Sequence, residues 1–272
     1  MPGFGGERSV ACRGLWLTRC AVGSGTLLPT GGCCAAEKAT EWVTSTRLSP
    51  KKSLRCLERQ PLQVAAAYRA PMQRFVTDEI DTSDAYKLLS GLIVPRPIGW
   101  IGTRSADGVN NLAPYSFFNG VAASPPTVMF APTGQPMARK DTLSNARDTG
   151  VFTVNIVNFD LGPAMNTSSG SYPEDVDEFE VAGLTVREAE LINAPIVAEA
   201  PASFECKVLK IVEIGEAPMG SQVVFGEVVA FNVEERLLDG TRVDQAALDP
   251  IGRHVGNLYS RGGELYELVR PD

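Results

Sequence analysis

The stretch Asn111-Leu112-Ala113-Pro114-Tyr115-Ser116-Phe117-Phe118-Asn119 constrains this chain most. It lies between two apolar runs, Pro97 to Thr103 and Pro126 to Pro132, which read as strands of a β-rich frame. Pro114 interrupts strand pairing and frees neighbouring N–H and C=O groups for other partners. Shortly downstream, Arg139-Lys140-Asp141-Thr142 opens a helical pattern. Polar backbone, hydroxyls and aromatic rings are thus followed by two cations at a predicted helix N-terminus. That combination suits a ligand with a flat polar ring at one end and a phosphate at the other.

The remaining punctuation supports a mainly β architecture. Asp81-Thr82-Ser83-Asp84 supplies N-cap candidates for a short helix over Ala85 to Ser90, ended by Gly91. Val94-Pro95-Arg96-Pro97 is extended, because a residue before proline avoids the helical region. Ile98 to Thr103 reads as a strand, and Asp107-Gly108 turns the chain back into the Asn111 stretch. Thr127 to Ala131 is a short buried strand, Asp141 to Asp148 a helix stopped by Gly150, and Val151 to Val157 another strand. Phe159 to Met165 is expected to be helical, and Ser168 to Val181 a solvated acidic loop able to gate an opening.

Two long strands, Ala202 to Ile214 and Gln222 to Val233, form a hairpin through Gly215 to Gly220. Phe204, Cys206 and Val208 alternate with Glu205 and Lys207, the pattern of a half-buried strand. Asp249 to Tyr259 is a glycine-containing loop, and Leu265 to Val269 a closing strand. Six or seven strands with only short helices predict an antiparallel barrel. Strands do not alternate with long helices, which argues against a Rossmann domain.

Charge divides the 272 residues near Met72. Residues 1–71 hold ten Lys/Arg against four Asp/Glu, leaving fifteen against twenty-eight in 72–272. The acidic part is a poor partner for nucleic acid, whose phosphates need clustered cations. No run of about 18 apolar residues suggests a membrane span. Five of the six cysteines, Cys12, Cys20, Cys33, Cys34 and Cys56, lie in the first segment, so the body reads as a cytoplasmic, reducing-compartment protein. Residues 1–71 lack any sustained period, and three readings stay open: a disordered extension, upstream sequence preceding a start at Met72, or an organellar targeting peptide. None gives them a catalytic role.

The phosphate-and-ring reading points to flavin mononucleotide. Arg139 and Lys140 can form charge-assisted bonds to a phosphate, Thr142 adds a hydroxyl, and the helix start adds backbone N–H groups. Asp141 is better suited to capping the helix. Taken alone, these residues read equally as solvated cations and a plain cap. Ser116 can donate or accept at a ring edge with Tyr115 and Phe117 packed nearby; the alternative is an edge strand whose aromatics fill the core. Hydride transfer between nicotinamide and flavin needs little acid–base help from protein, so the absence of a catalytic triad is expected. His254, the sole histidine, is a weak candidate for touching substrate, and Cys206 is packing rather than a redox thiol. No metal site is expected.

At Arg96 to Thr103, Asn111 to Asn119, Arg139 to Thr142, Thr149 to Asn155 and Gly252 to Tyr259, the chain resembles the flavin reductase-like family of FMN-binding split barrels. The resemblance spans residues 75–272. It implies a Greek-key antiparallel split β-barrel with short helices, occupying residues 72–272, that binds FMN (FAD being the alternative). It implies NAD(P)H as co-substrate and a homodimer with flavin near the interface. Electrons would pass to a monooxygenase or another acceptor; a tight-binding electron carrier without nicotinamide turnover is the runner-up, and a non-enzymatic protein-binding barrel a third class. The implied cofactor residues are Thr103, Asn111, Ala113, Pro114, Tyr115, Ser116, Phe117, Arg139, Lys140, Thr142, Arg253 and Tyr259. Many relatives read Arg-Leu-Gly-Gly where this chain has Arg253-His254-Val255-Gly256.

Overall fold

The computed structural model describes residues 71–133, 141–216, 219–262 and 265–271. Arg139, Lys140 and the cysteine-rich segment before residue 71 lie outside the described residues. Seven strands build the main sheet: β1 (Gly99–Arg104), β2 (Asn110–Tyr115), β3 (Phe118–Ala123), β4 (Pro126–Phe130), β5 (Val151–Ile156), β8 (Ala202–Ile214) and β9 (Ser221–Val233). Their spatial order is β2-β1-β5-β8-β9-β4-β3, and every neighbouring pair is antiparallel.

The two edge strands of that order, β2 and β3, are consecutive in the chain. Only Ser116 and Phe117 separate them, so the far edges of the sheet must meet at that point. The sheet therefore curls into a barrel that is split along β2 and β3. Three register irregularities, between Gly120 and Ala122, Glu205 and Cys206, and Val208 and Lys210, supply the local twist that such closure needs. Gly226 allows the tightest approach inside: a Cβ there would lie 2.3 Å from the Phe152 ring. The barrel interior holds Ile101, Tyr115, Phe130, Leu143, Phe152 and Cys206, among others. As the strand pattern predicts, Cys206 is buried packing, and burial pushes its thiol far above the ordinary range.

Outside the barrel, a second cluster joins Trp100, Leu112, Val157, Met165 and Phe179. It forms beneath α3 (Gly162–Thr167), α4 (Glu178–Ala182) and the small ladder of β6 (Val186–Glu188) with β7 (Pro195–Val197). Two further helices, α1 (Thr82–Leu92) and α2 (Asp141–Thr149), flank the barrel. The chain then adds a hairpin of β10 (Leu238–Asp239) and β11 (Arg242–Val243), the turn α5 (Gln245–Leu248), and a ladder of β12 (Ile251–Arg253) with β13 (Tyr259–Arg261). None of the described helices is long and apolar enough to cross a membrane.

Four expectations are corrected. The Asn111 stretch is two strands rather than one, broken at Ser116-Phe117 because the chain changes sheet edge there. The Asp249–Tyr259 loop contains β12. Leu265 to Val269 forms no strand of the main sheet, and Leu265, Tyr266, Leu268 and Val269 are all exposed, so none of the described residues buries the apolar face that a closing strand would need. The end of the acidic loop is α4, where Asp177 caps the helix by accepting from the Phe179 N–H and Phe179 is fully buried. A related surprise is Glu205, buried at a position where alternation predicts exposure. Its carboxylate accepts from the N–H groups of Glu190 and Leu191 and from the Asn232 amide, so the loop wrapping over it replaces solvent.

Glu178 performs a similar service for edge strand β2. Its carboxylate accepts from the Leu112 N–H at 3.0 Å, a donor that edge position would otherwise leave unpaired. Burial pushes the Glu178 carboxyl above its ordinary range; the Leu112 bond opposes that, and Asp141 and Asp177 reinforce it. The folded state thus holds this proton more tightly than the unfolded chain, so stability falls as pH rises from the ordinary glutamate pKa through the raised one. Glu178→Gln keeps an acceptor for Leu112 and removes the charge. Urea midpoints measured across that range should lose part of their downward slope with pH, with the variant at least as stable as the parent at neutral pH. A steeper loss of stability in the variant would contradict this.

Candidate functional site

Strand alternation divides the residues expected to share one ligand. Asn111, Ala113 and Tyr115 of β2 point into the barrel, whereas Leu112, Pro114 and Ser116 point to the other side. Tyr115 packs against Phe130 with ring centres 5.2 Å apart, and burial holds its phenol far above the ordinary range while a bond with Thr142 pulls the other way. Its ring is core rather than ligand wall, and Ala113 packs against the same core. Phe117 is half-buried and faces α1, 6.3 Å from the Tyr86 ring.

At the start of β2 the polar residues satisfy one another. The Asn111 amide donates to Thr142 Oγ1 at 2.8 Å and to Thr103 Oγ1 at 3.1 Å, and Asn145 also donates to Thr103. Thr103, Asn111 and Thr142 are all buried. This network ties β1 and β2 to the first turn of α2. Beside it opens a cavity of about 350 Å³ whose wall includes Asn111, Ser144, Asp107, Asp141, Glu174 and Asp175. Its described wall is acidic.

A second cavity, of about 450 Å³, lies at the other end of β2. Pro114 and Ser116 reach it from the strand, Met165 and Asn166 from α3, and Arg253, His254 and Tyr259 from the β12–β13 ladder. Arg253 and Tyr259 are cross-strand partners, and the guanidinium sits 4.6 Å from the centre of the tyrosine ring. His254 Nε2 is buried in this wall with no hydrogen-bond partner among the described residues.

Arg96 organises this end. It is buried, and it donates to Ser116 Oγ, to the carbonyls of Ser90 and Ile93 at the end of α1, and to the carbonyl of His254. Its backbone exchanges hydrogen bonds in both directions with Arg253. One guanidinium thereby fixes a helix end, the β2–β3 link and the β12 segment around the cavity. Burial lowers its pKa and nearby Arg253 lowers it further, while Tyr86 opposes. Arg96 was not among the expected site residues. The available signal was a cation held between Pro95 and Pro97, in an extended segment that can offer few backbone bonds of its own.

The expected residues therefore form two groups. Asn111 reaches the acidic cavity with Thr103 and Thr142 buried behind it, and Pro114, Ser116, Arg253, His254 and Tyr259 line the larger one. Tyr115 and Ala113 belong to the core, and Phe117 packs toward α1. β2 rises roughly 3.3 Å per residue, so Asn111 and Ser116 are about 17 Å apart along it. Among the described residues, no cluster of three or more metal-ligating side chains occurs.

The sequence model of the flavin reductase like domain matches residues 90–248. The chain belongs to this family. An uncharacterized protein of Aquifex aeolicus is 41% identical over 187 residues, covering 68% of this chain and 93% of that protein. Among solved structures, nitrilotriacetate monooxygenase component B from Bacillus cereus is 36% identical and superposes with a TM-score of 0.71, covering 73% of this chain and all of that one. The 2-nitrobenzoate 2-nitroreductase NbaA of Pseudomonas fluorescens is 29% identical, with a TM-score of 0.67 over 73% of this chain and 96% of its own. These similarities place the chain among flavin-related oxidoreductases with a split barrel. The family match includes Arg96, all of β2 and α2, and stops before the ladder that carries Arg253, His254 and Tyr259.

Proposed function

We propose that this flavin reductase-like protein binds FMN along β2 and uses NAD(P)H to reduce it for an onward acceptor. The observation that carries the reading is the pair of cavities at the two ends of one strand, in a chain of this family. The larger cavity suits the ring end. Pro114, Met165 and Tyr259 offer apolar wall, while Ser116 Oγ offers a polar contact at an edge. Pro114 does not interrupt the β1–β2 ladder, where it pairs with Trp100; the backbone available beside it is the outer edge of β2, which is the last strand of the sheet. The phosphate end falls to Arg139 and Lys140 with the α2 start and Thr142.

When bound, the flavin supplies two-electron transfer between a nicotinamide and an acceptor. The protein's part is to hold the ring, exclude water beneath α3 and fix the approach of the second molecule. Ser116 is held by Arg96, so its hydroxyl is aimed rather than free to rotate. A homodimer fits the exposed run of β3: Asn119 to Ala123 is solvent-facing, with Val121 48% exposed, at the split edge beside Ser116. Light scattering should accordingly show twice the chain mass.

The decisive experiment is anaerobic titration of flavin-loaded protein. NADH or NADPH should bleach the visible flavin band, and air should restore it. Bleaching by dithionite with none by either nicotinamide would replace this reading with the electron-carrier one.

A further inference from the structure

The two cavities differ in electrical character. Among the described residues, no Asp or Glu contributes to the wall of the larger one, whereas four acids line the smaller. Composition does not lead to this, because residues 72–272 hold twenty-eight acids against fifteen cations. Arg96 is only 6% exposed, and all four of its side-chain acceptors are neutral oxygens. Arg253 donates to the Gly256 carbonyl and rests against the Tyr259 ring. Neither guanidinium has a carboxylate partner among the described residues, although four other cations do. Two positive charges with no counter-charge among the described residues therefore line one cavity. Arg96 is the buried one of the two, and an uncompensated buried charge is costly. An anion entering the cavity lowers that cost, while the more exposed Arg253 can meet the anion directly.

From this wall we infer that the larger cavity binds a small, flat compound bearing a carboxylate, gripped by Arg253 against Tyr259 and Pro114. The planar fork of Arg253 matches a carboxylate. Arg96 keeps its backbone bonds and contributes its field. A volume of about 450 Å³ lies within the ordinary range for small-ligand sites. The inference deepens the flavin reading in one respect only: such a compound would be the second substrate, seated beside the ring.

Calorimetric titration of the full chain as purified, with benzoate, the neutral isostere benzamide and inorganic phosphate, tests this. Benzoate should bind about tenfold or more tightly than benzamide, the difference one charge-assisted contact makes. Arg253→Met should abolish that preference. Ser169→Asp, an exposed position on the same rim, adds a carboxylate without touching Arg253. It should weaken benzoate by a similar factor and leave benzamide within about twofold. Equal affinity for benzoate and benzamide, or indifference to Ser169→Asp, would overturn the inference. Tighter binding of phosphate than of benzoate would overturn it too, by assigning the charge to a phosphate. The visible spectrum of the same sample reports flavin separately: benzoate binding by colourless protein would defeat the flavin reading alone, and yellow protein indifferent to benzoate would defeat this one alone.

Discussion

Replacing Arg96 with Met is expected to lower the melting temperature by roughly 5–15 °C and to loosen the walls of the larger cavity. Met fills much of the same volume but donates to nothing. The carbonyls of Ser90, Ile93 and His254 and the hydroxyl of Ser116 would each lose a donor, the first in a buried setting and the other three in part-buried ones. Stranded buried polar groups cost about 1–3 kcal/mol each, and partial relaxation and relief of the buried charge offset some of that, leaving about 2–4 kcal/mol. For a domain of this size each kcal/mol moves the midpoint by about 2–4 °C. Because the four acceptors belong to α1, the β2–β3 link and β12, the loss should be regional, with faster amide exchange in Ser90 to Ile93 and His254 than in the barrel strands. Arg96→Lys should recover only part of it, since one ammonium cannot reproduce the fork. A Met variant melting within about 2 °C of the parent would show that these bonds hold little together.

The barrel was legible because its signals are local. The β8–β9 hairpin, the Asp107-Gly108 turn and the Gly150 stop each rest on a few adjacent residues; Gly108 and Gly150 adopt φ of 90° and 72°, the left-handed region those turns require. What escaped the sequence depends on partners far along the chain. Arg96 meets His254 across 158 positions, and Glu178 meets Leu112 across 66. No period of 2 or 3.6 records such pairings. Glu205 shows the same limit from inside a correctly placed strand: alternation assigns its face but not the loop that covers that face.

The site was legible by membership more than by arrangement. Asn111 through Phe117 are consecutive, and a motif treats them as one unit, yet a strand must send alternate side chains to opposite faces. Tyr115 therefore joins the core while Ser116 reaches the cavity. The larger cavity's lack of acids was also hidden, because it is assembled from β2, α3 and the β12–β13 ladder, segments remote from one another in an acidic sequence.

Replacing Arg139 and Lys140 together with Ala is expected to weaken FMN by between about a hundredfold and ten-thousandfold while changing riboflavin, which lacks the phosphate, by less than about threefold. Each charge-assisted bond to phosphate is worth roughly 1.5–3 kcal/mol, about tenfold to a hundredfold in affinity. Adjacent cations acting on one phosphate couple, so the lower part of the range is expected for the pair. The described surroundings sharpen this expectation. Asp107, Asp141, Glu174 and Asp175 line the cavity at the start of α2, and without the two cations a phosphate there would meet mainly negative charge. The hydroxyl of Thr142 cannot compensate, because it is buried between Asn111 and Tyr115 and one neutral donor does not replace two charges. Fluorescence titration of both ligands against parent and variant gives the comparison directly. Equal losses for FMN and riboflavin would show that the cations support the fold instead. A loss of FMN discrimination in Arg253→Met, with none in the double variant, would move the phosphate to the opposite end of β2, where the uncompensated guanidinium groups lie.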